Sequence, residues 1–235
     1  MSKINIRGFI ETSLLDWDGK ITSVIFLPYC NFRCPFCSNG ILLDDPDSLP
    51  EITLDRIGAF LKERKDFIDG VVISGGEPTI HPWLPELAEK LKAIGTLVKL
   101  DTNGSNPNHL TTLITNHLID YIAMDLKAPL DGKYRSAAGQ EVDLKAIKQS
   151  IKLIMGSGID YEFRTTVIPT ILDEAEIESM AKAIAGAKKY ALQQFVPEHT
   201  LDPKLRIIAA YPREKMLALS AIARQYVANT IVRGV

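Results

Sequence analysis

The sequence predicts an α/β protein, a partial (β/α)6 TIM-type barrel, on three observations. Short runs rich in Val, Ile and Leu alternate with longer stretches of helical periodicity, which is the pattern of repeated strand-helix units around a parallel sheet. Six such units are legible, two short of a closed eight-unit barrel, so the barrel is expected to be open. Each strand also runs out into polar residues, as expected where a parallel sheet builds its chemistry beyond the carboxyl ends of its strands.

The elements follow in order. A leading segment, residues 1–20, precedes the first strand, TSVIFLP at 22–28. The next strands are GVVISGG (70–76), LVKLDTN (97–103), YIAMDLK (121–127), YEFRTTVI (161–168) and LQQFV (192–196). Helices are expected at 53–66, 82–94, 107–117, 143–156, 173–188 and 212–227, several opened by Thr, Asp or Pro at a cap or first-turn position. TIVRGV closes the chain as a last short strand. No low-complexity linker or internal repeat interrupts the pattern. One domain, 1–235, is therefore expected, with the partial barrel at 21–200 and a C-terminal helix and strand at 201–235.

Composition narrows the partners. Lys and Arg number 27 against 29 Asp and Glu, so no electrostatic reason favours nucleic acid or a membrane surface. MSKINIRGF lacks the apolar core of a signal peptide, and the expected compartment is the cytoplasm.

The chain's three cysteines, Cys30, Cys34 and Cys37, fall within the loop YCNFRCPFCSNG after the first strand. An odd, crowded set of thiols suits a shared metal better than a disulfide framework. A structural zinc site would need a fourth Cys or His ligand, and the nearest histidine, His81, is distant in the chain. Four-iron clusters are normally held by four cysteines, so three would leave one iron for a ligand that is not protein.

The second strand ends in SGGEP, where Gly75 and Gly76 have no side chains to block an approaching ligand and Glu77 offers a carboxylate to an ammonium group. DTNG and DLK follow the third and fourth strands; taken singly they read as turns. Arg164 sits inside an apolar strand and needs an oxygen partner. Gln193, Gln194 and His199 flank the sixth strand; residues of this kind are more often satisfied core or surface groups than ligands.

Together the Cys-x3-Cys-x2-Cys loop and SGGEP resemble the radical S-adenosylmethionine (SAM) superfamily. The resemblance implies that the three cysteines hold a 4Fe-4S cluster and that its open iron binds SAM. Reductive cleavage then yields a 5'-deoxyadenosyl radical. Phe36 is similar to the residue that approaches the adenine, and the Gly75–Gly76–Glu77 segment to the one that binds the methionine amino group. DTNG and DLK are similar to segments of glycyl-radical-enzyme activases. By that likeness Asp101 and Asp125 are ligands of a monovalent cation, Na+ or K+, with oxygens of Thr102 and Ala123 completing the shell. Lys127 and Arg164 are implied to meet the cosubstrate. GFIETSLLDWDGK is similar to the leading segment of anaerobic ribonucleoside-triphosphate reductase activating proteins, apart from Asp18 where Pro is frequent and Ser38 where His is common.

The implied activity is abstraction of a hydrogen from a glycine of a partner glycyl radical enzyme, with an electron donor such as flavodoxin or ferredoxin. A small-molecule substrate in anaerobic biosynthesis is the alternative. Anaerobically reconstituted protein is expected to bind about four irons per chain, and Cys34→Ala to lose them. Iron and sulfide analysis measures this, and zinc supporting full activity in the site would overturn it.

Overall fold

A computed structural model describes residues 3–235. One sheet holds eight strands in the order of the chain: β1 Gly8–Ser13, β2 Thr22–Leu27, β3 Gly70–Gly75, β4 Leu97–Thr102, β5 Tyr121–Asp125, β6 Asp160–Val167, β7 Tyr190–Gln194 and β8 Thr230–Arg233. β2 to β7 are the six strands of the expected partial barrel. β1 pairs antiparallel with β2, whereas β2 with β3, β3 with β4, β6 with β7, and β7 with β8 are parallel.

The helices are α1 Gly40–Asp44, α2 Leu54–Glu63, α3 Leu84–Ile94, α4 Pro107–Thr115, α5 Lys133–Ala138, α6 Leu144–Gly156, α7 Glu174–Ala183 and α8 Arg213–Ala223. Their starts follow the cap residues. Thr53, Asn106 and Asp143 side chains accept backbone N–H groups at the openings of α2, α4 and α6, and α7 opens on an Asp173/Glu176 capping box. β1, α1 and α5 are additions to the sequence reading, and β7 lies two residues earlier than expected. Phe195 and Val196 continue the apolar run, but the ladder with β8 ends before them.

Two compact units divide the chain. The first comprises residues up to Asn31, Ile41–Thr102 and Asn106–Ile122; the second comprises Phe32–Gly40, Asn103–Ser105 and Ala123–Val235. In the first, residues on both faces of β2, β3 and β4, such as Val24, Ile25, Val72, Ile73, Val98 and Leu100, are fully buried. Trp17, from the segment after β1, packs with Val24 and Val72 and against Phe26, Leu97 and Tyr121. In the second, Phe163, Tyr190, Leu192 and Ile147 are buried, and the Thr165 and Tyr190 hydroxyls hydrogen-bond each other at 2.8 Å.

One buried charge ties the last strand to this second core. Glu162 on β6 is 1% exposed and meets both terminal nitrogens of Arg233 on β8, at 3.0 and 2.7 Å, with Lys189 Nζ at 3.6 Å. Removing one partner of a buried pair strands the other charge. Arg233→Met is expected to cost about 3 kcal/mol, the low end for such a loss because Lys189 remains. Urea unfolding measures it, and an unchanged midpoint would show that the pair contributes nothing.

Candidate active site

In the first unit the site is built where β2 and β3 end. Tyr29, the residue before Cys30, is left-handed, with φ 62°. That conformation is costly for a residue with a Cβ, and it is over-determined here. The Tyr29 N–H donates to Leu42 O at 2.8 Å, and its carbonyl accepts from Glu77 N–H at 2.9 Å. One residue earlier, the Pro28 carbonyl accepts from His81 Nε2 at 2.8 Å. Burial holds the His81 ring below its usual pKa, so it is neutral and donates through that nitrogen. The ring stacks on Trp83 at 4.4 Å.

This clamp explains the two glycines. A Cβ on Gly76 would lie 1.8 Å from Tyr29 O, and one on Gly75, whose φ is +112°, would lie 2.4 Å from Leu27 O. What approaches them within the protein is the backbone that launches the cysteine loop.

Glu77 is 1% exposed, and three donors converge on its Oε1: Thr79 N–H at 3.0 Å, Thr79 Oγ1 at 2.6 Å and Thr102 Oγ1 at 2.7 Å. The Thr102 hydroxyl thus serves the Glu77 carboxylate. Asp101 accepts from Ser74 Oγ at 3.1 Å and lies 3.7 Å from Lys99 Nζ. Lys99 is 1% exposed; it also donates to the Asp16 carbonyl and sits 5.3 Å from the Tyr121 ring centre. Sequence reasoning passed over Lys99, although a lysine inside LVKLDT is the same signal that singled out Arg164.

The second unit carries Cys34, Phe36, Cys37, Asp125, Lys127 and Arg164. Asp125, at the end of β5, accepts from Arg164 Nε at 2.8 Å and from Lys127 Nζ at 3.0 Å. Arg164 on β6 therefore finds its oxygen within the protein. Burial alone would raise the Asp125 carboxyl, but Arg164 and then Lys127 overcome it and hold the pKa at about 2. Burial likewise pulls Lys127 down, and Asp125, followed by Cys34, carries it above its usual value. Lys127 Nζ also stands 6.0 Å from the Phe36 ring centre. Asp101 and Asp125 thus meet lysine or arginine within their own units. Among the described residues no three His, Cys, Asp or Glu side chains are grouped to hold a metal ion.

Of the weaker candidates, Gln194 donates to Tyr211 O at 2.9 Å, and His199 lies exposed on a 3-10 turn.

The cysteine loop is held from within the second unit. Arg33 N–H donates to Ala138 O at 2.8 Å at the end of α5. A Cβ on Gly139, whose φ is +70°, would lie 2.0 Å from Arg33 O. Cys34 is 7% exposed, and burial pushes its thiol up to about 11 despite the opposing charge of Lys127. Burial raises Cys37 too.

The residues 24–184 match the family described as the radical SAM superfamily, and the chain belongs to it. It is 34% identical over 240 residues to a Methanocaldococcus jannaschii protein assigned by name to the glycyl-radical enzyme activating enzymes, covering 99% of this chain and 97% of that one. It is 26% identical over 241 residues to the pyruvate formate-lyase-activating enzyme of Clostridium pasteurianum, covering 94% and 97%. Among solved structures, Streptococcus suis SuiB bound to its precursor peptide SuiA superimposes with a TM-score of 0.70 at 16% identity, over 90% of this chain and 48% of that one.

Membership implies a 4Fe-4S cluster and SAM. The donor set fits the cluster: three thiols in one loop, no further cysteine in the chain, and burial that leaves Cys34 protonated unless a metal takes its charge. Among the described residues no helix is long and apolar enough to cross a membrane.

Metal-free protein should show this burial directly. A thiol with a pKa near 11 is ionised to about one part in a thousand at pH 8, and only the thiolate is alkylated. Iodoacetamide labelling of Cys34, followed by peptide mass analysis, should therefore accelerate about tenfold per pH unit from 8 to 10. A rate that levels off below pH 9 would contradict it.

Proposed function

We propose that this radical SAM enzyme activates a glycyl radical enzyme by abstracting a hydrogen from a backbone glycine of that partner. The observation that carries the reading is end-to-end similarity. The activating enzymes it resembles match nearly the whole of this chain and nearly their whole length. In this reading Cys30, Cys34 and Cys37 hold the cluster and Phe36 lies against the adenine of SAM. When bound, the cluster supplies the electron that cleaves SAM to the hydrogen-abstracting 5'-deoxyadenosyl radical.

The chain's own residues bind and orient. Gly75 and Gly76 seat the backbone that presents Cys30. Glu77, fixed by Thr79 and Thr102, stabilises the SGGEP turn whose backbone receives the methionine amino group. Lys127 and Arg164, held by Asp125, place positive charge for the methionine carboxylate. Reaction at a peptide glycine depends on holding the reacting atoms in contact and excluding water. An anaerobic ribonucleotide reductase is the proposed partner, and flavodoxin or ferredoxin the proposed electron donor.

The test follows the hydrogen atom. A peptide carrying a candidate partner's glycine sequence, deuterated at the glycine α-carbon, should accelerate SAM cleavage and pass its deuterium into 5'-deoxyadenosine. Mass spectrometry of the nucleoside reads the transfer. If no glycyl radical enzyme donates deuterium while a small metabolite does, the substrate is a small molecule.

A further inference from the structure

We propose that Gln193 and Thr166 form a seat for the main chain of the substrate, holding a peptide group beside the glycine that loses its hydrogen. The inference deepens the activase reading and rests on it.

One face of β6, β7 and β8 carries the argument. Side chains alternate along a strand, and residues in register across a parallel pair share a face. The register sets Arg164 beside Ala191 and Thr166 beside Gln193, and it sets Gln193 beside Arg233 in turn. Glu162, Arg164 and Thr166 therefore lie in one row along β6, with Gln193 and Arg233 on the same face of β7 and β8. Two ion pairs show which face this is. Glu162 meets Arg233, and one rung further along Arg164 meets Asp125, which also holds Lys127. The row climbs toward the carboxyl ends of the strands, and its last rung is Thr166 with Gln193.

That rung differs from those below it. Among the described residues neither the Thr166 hydroxyl nor the Gln193 amide makes a hydrogen bond, although both side chains are half-buried. Gln194, on the opposite face, gives its amide to Tyr211 O. A polar group partly withdrawn from water and unpaired by the protein keeps its bonding capacity for a molecule from outside.

The chemistry of the substrate says which molecule. Glycine has no side chain to recognise, so an enzyme acting at its α-carbon must hold the peptide groups on either side. A peptide group presents one N–H donor and one C=O acceptor. A primary amide presents the complement of both, and a hydroxyl can serve either. Arg164, on the rung below, carries a charge that suits a carboxylate. The neutral rung above it suits an uncharged peptide, so cosubstrate and substrate take successive rungs.

The experiment is a crossed comparison. Gln193→Met keeps the length of the side chain and removes both hydrogen-bonding groups. Peptides spanning a candidate partner's glycine are made with one nearby main-chain amide replaced by an ester, which removes an N–H. In wild type one ester peptide should show a KM raised about threefold to tenfold, the worth of a single neutral hydrogen bond, with kcat changed less. Gln193→Met should raise the KM of the all-amide peptide by a similar factor and then be indifferent to the ester, because the bond is already gone. A side chain that only supported the fold would give no such cancellation. SAM affinity, read from the spectral change of the cluster on titration, should stay as in wild type. Ester and substitution effects that multiply overturn the proposal. So does a Gln193→Met protein that handles the peptide normally, or one that loses affinity for SAM instead, which would assign the rung to the cosubstrate. Thr166→Val, which keeps a β-branched strand residue, carries the same comparison if Gln193→Met does not fold. A wild type that takes no deuterium from any glycine peptide defeats the activase reading itself; a wild type that does, with variants that leave KM unchanged, defeats this inference alone.

Discussion

The contact on which the candidate site depends is the one between the glycine pair at the end of β3 and the backbone leaving β2. Tyr29 takes a left-handed conformation that costs a residue with a side chain roughly 1 to 2 kcal/mol. It can do so because Leu42 and Glu77 each bond its backbone and because nothing but hydrogen projects from Gly76 toward its carbonyl. That turn aims the chain into the cysteine loop. A methyl group at position 76 would have to displace main chain rather than the far end of a side chain. SGGEP thereby positions the first cysteine as well as presenting its own backbone.

Charge in both units follows one rule: a buried ion is kept only with a counter-ion or converging hydrogen-bond donors beside it. Glu77 gathers hydroxyl and amide donors, Lys99 lies near Asp101, and Asp125 holds Lys127 and Arg164. Because Asp125 is held at about 2 and Lys127 above its usual value, both stay ionised across the physiological range. The cationic groups of the second unit are therefore constant features of the site rather than switches. The charge of Lys127 lowers the cost of thiolate at Cys34, although it does not outweigh burial. Coordination of the cluster that family membership implies would supply the remainder.

Much of this was legible in the sequence, for physical reasons that differ between elements. β2 to β7 and their helices announce themselves because a strand buried on both faces is a continuous apolar run and an amphipathic helix repeats at its own period. β1 does not, since GFIETS is an edge strand with most of its side chains at least partly in water. α5 is too short to show periodicity, and DGKYRSAAG reads as a turn between glycines. The cysteines were legible because their chemistry is unusual at any spacing. The partners of Glu77 were not, because Thr79 and Thr102 are ordinary residues whose role arises only when the ends of β3 and β4 come together. Arg164 announced a need for an oxygen, but the sequence could not say that Asp125 would meet it.

The placement of the cysteine loop also bears on how the protein matures. Residues 32–40 leave the ribosome early, between segments that pack with β2 and β3, yet their own partners, α5 and Gly139, belong to the far half of the chain. The strands of the first unit can pair as they emerge, each with its predecessor in sequence. The loop cannot: until residues 133–139 have been synthesised and α5 has closed over Phe32 and Arg33, it has no packed floor. The packing of residues 32–33 thereby waits on completion of the second unit, and a nascent or truncated chain lacking α5 would carry Cys34 and Cys37 on a loop without these contacts.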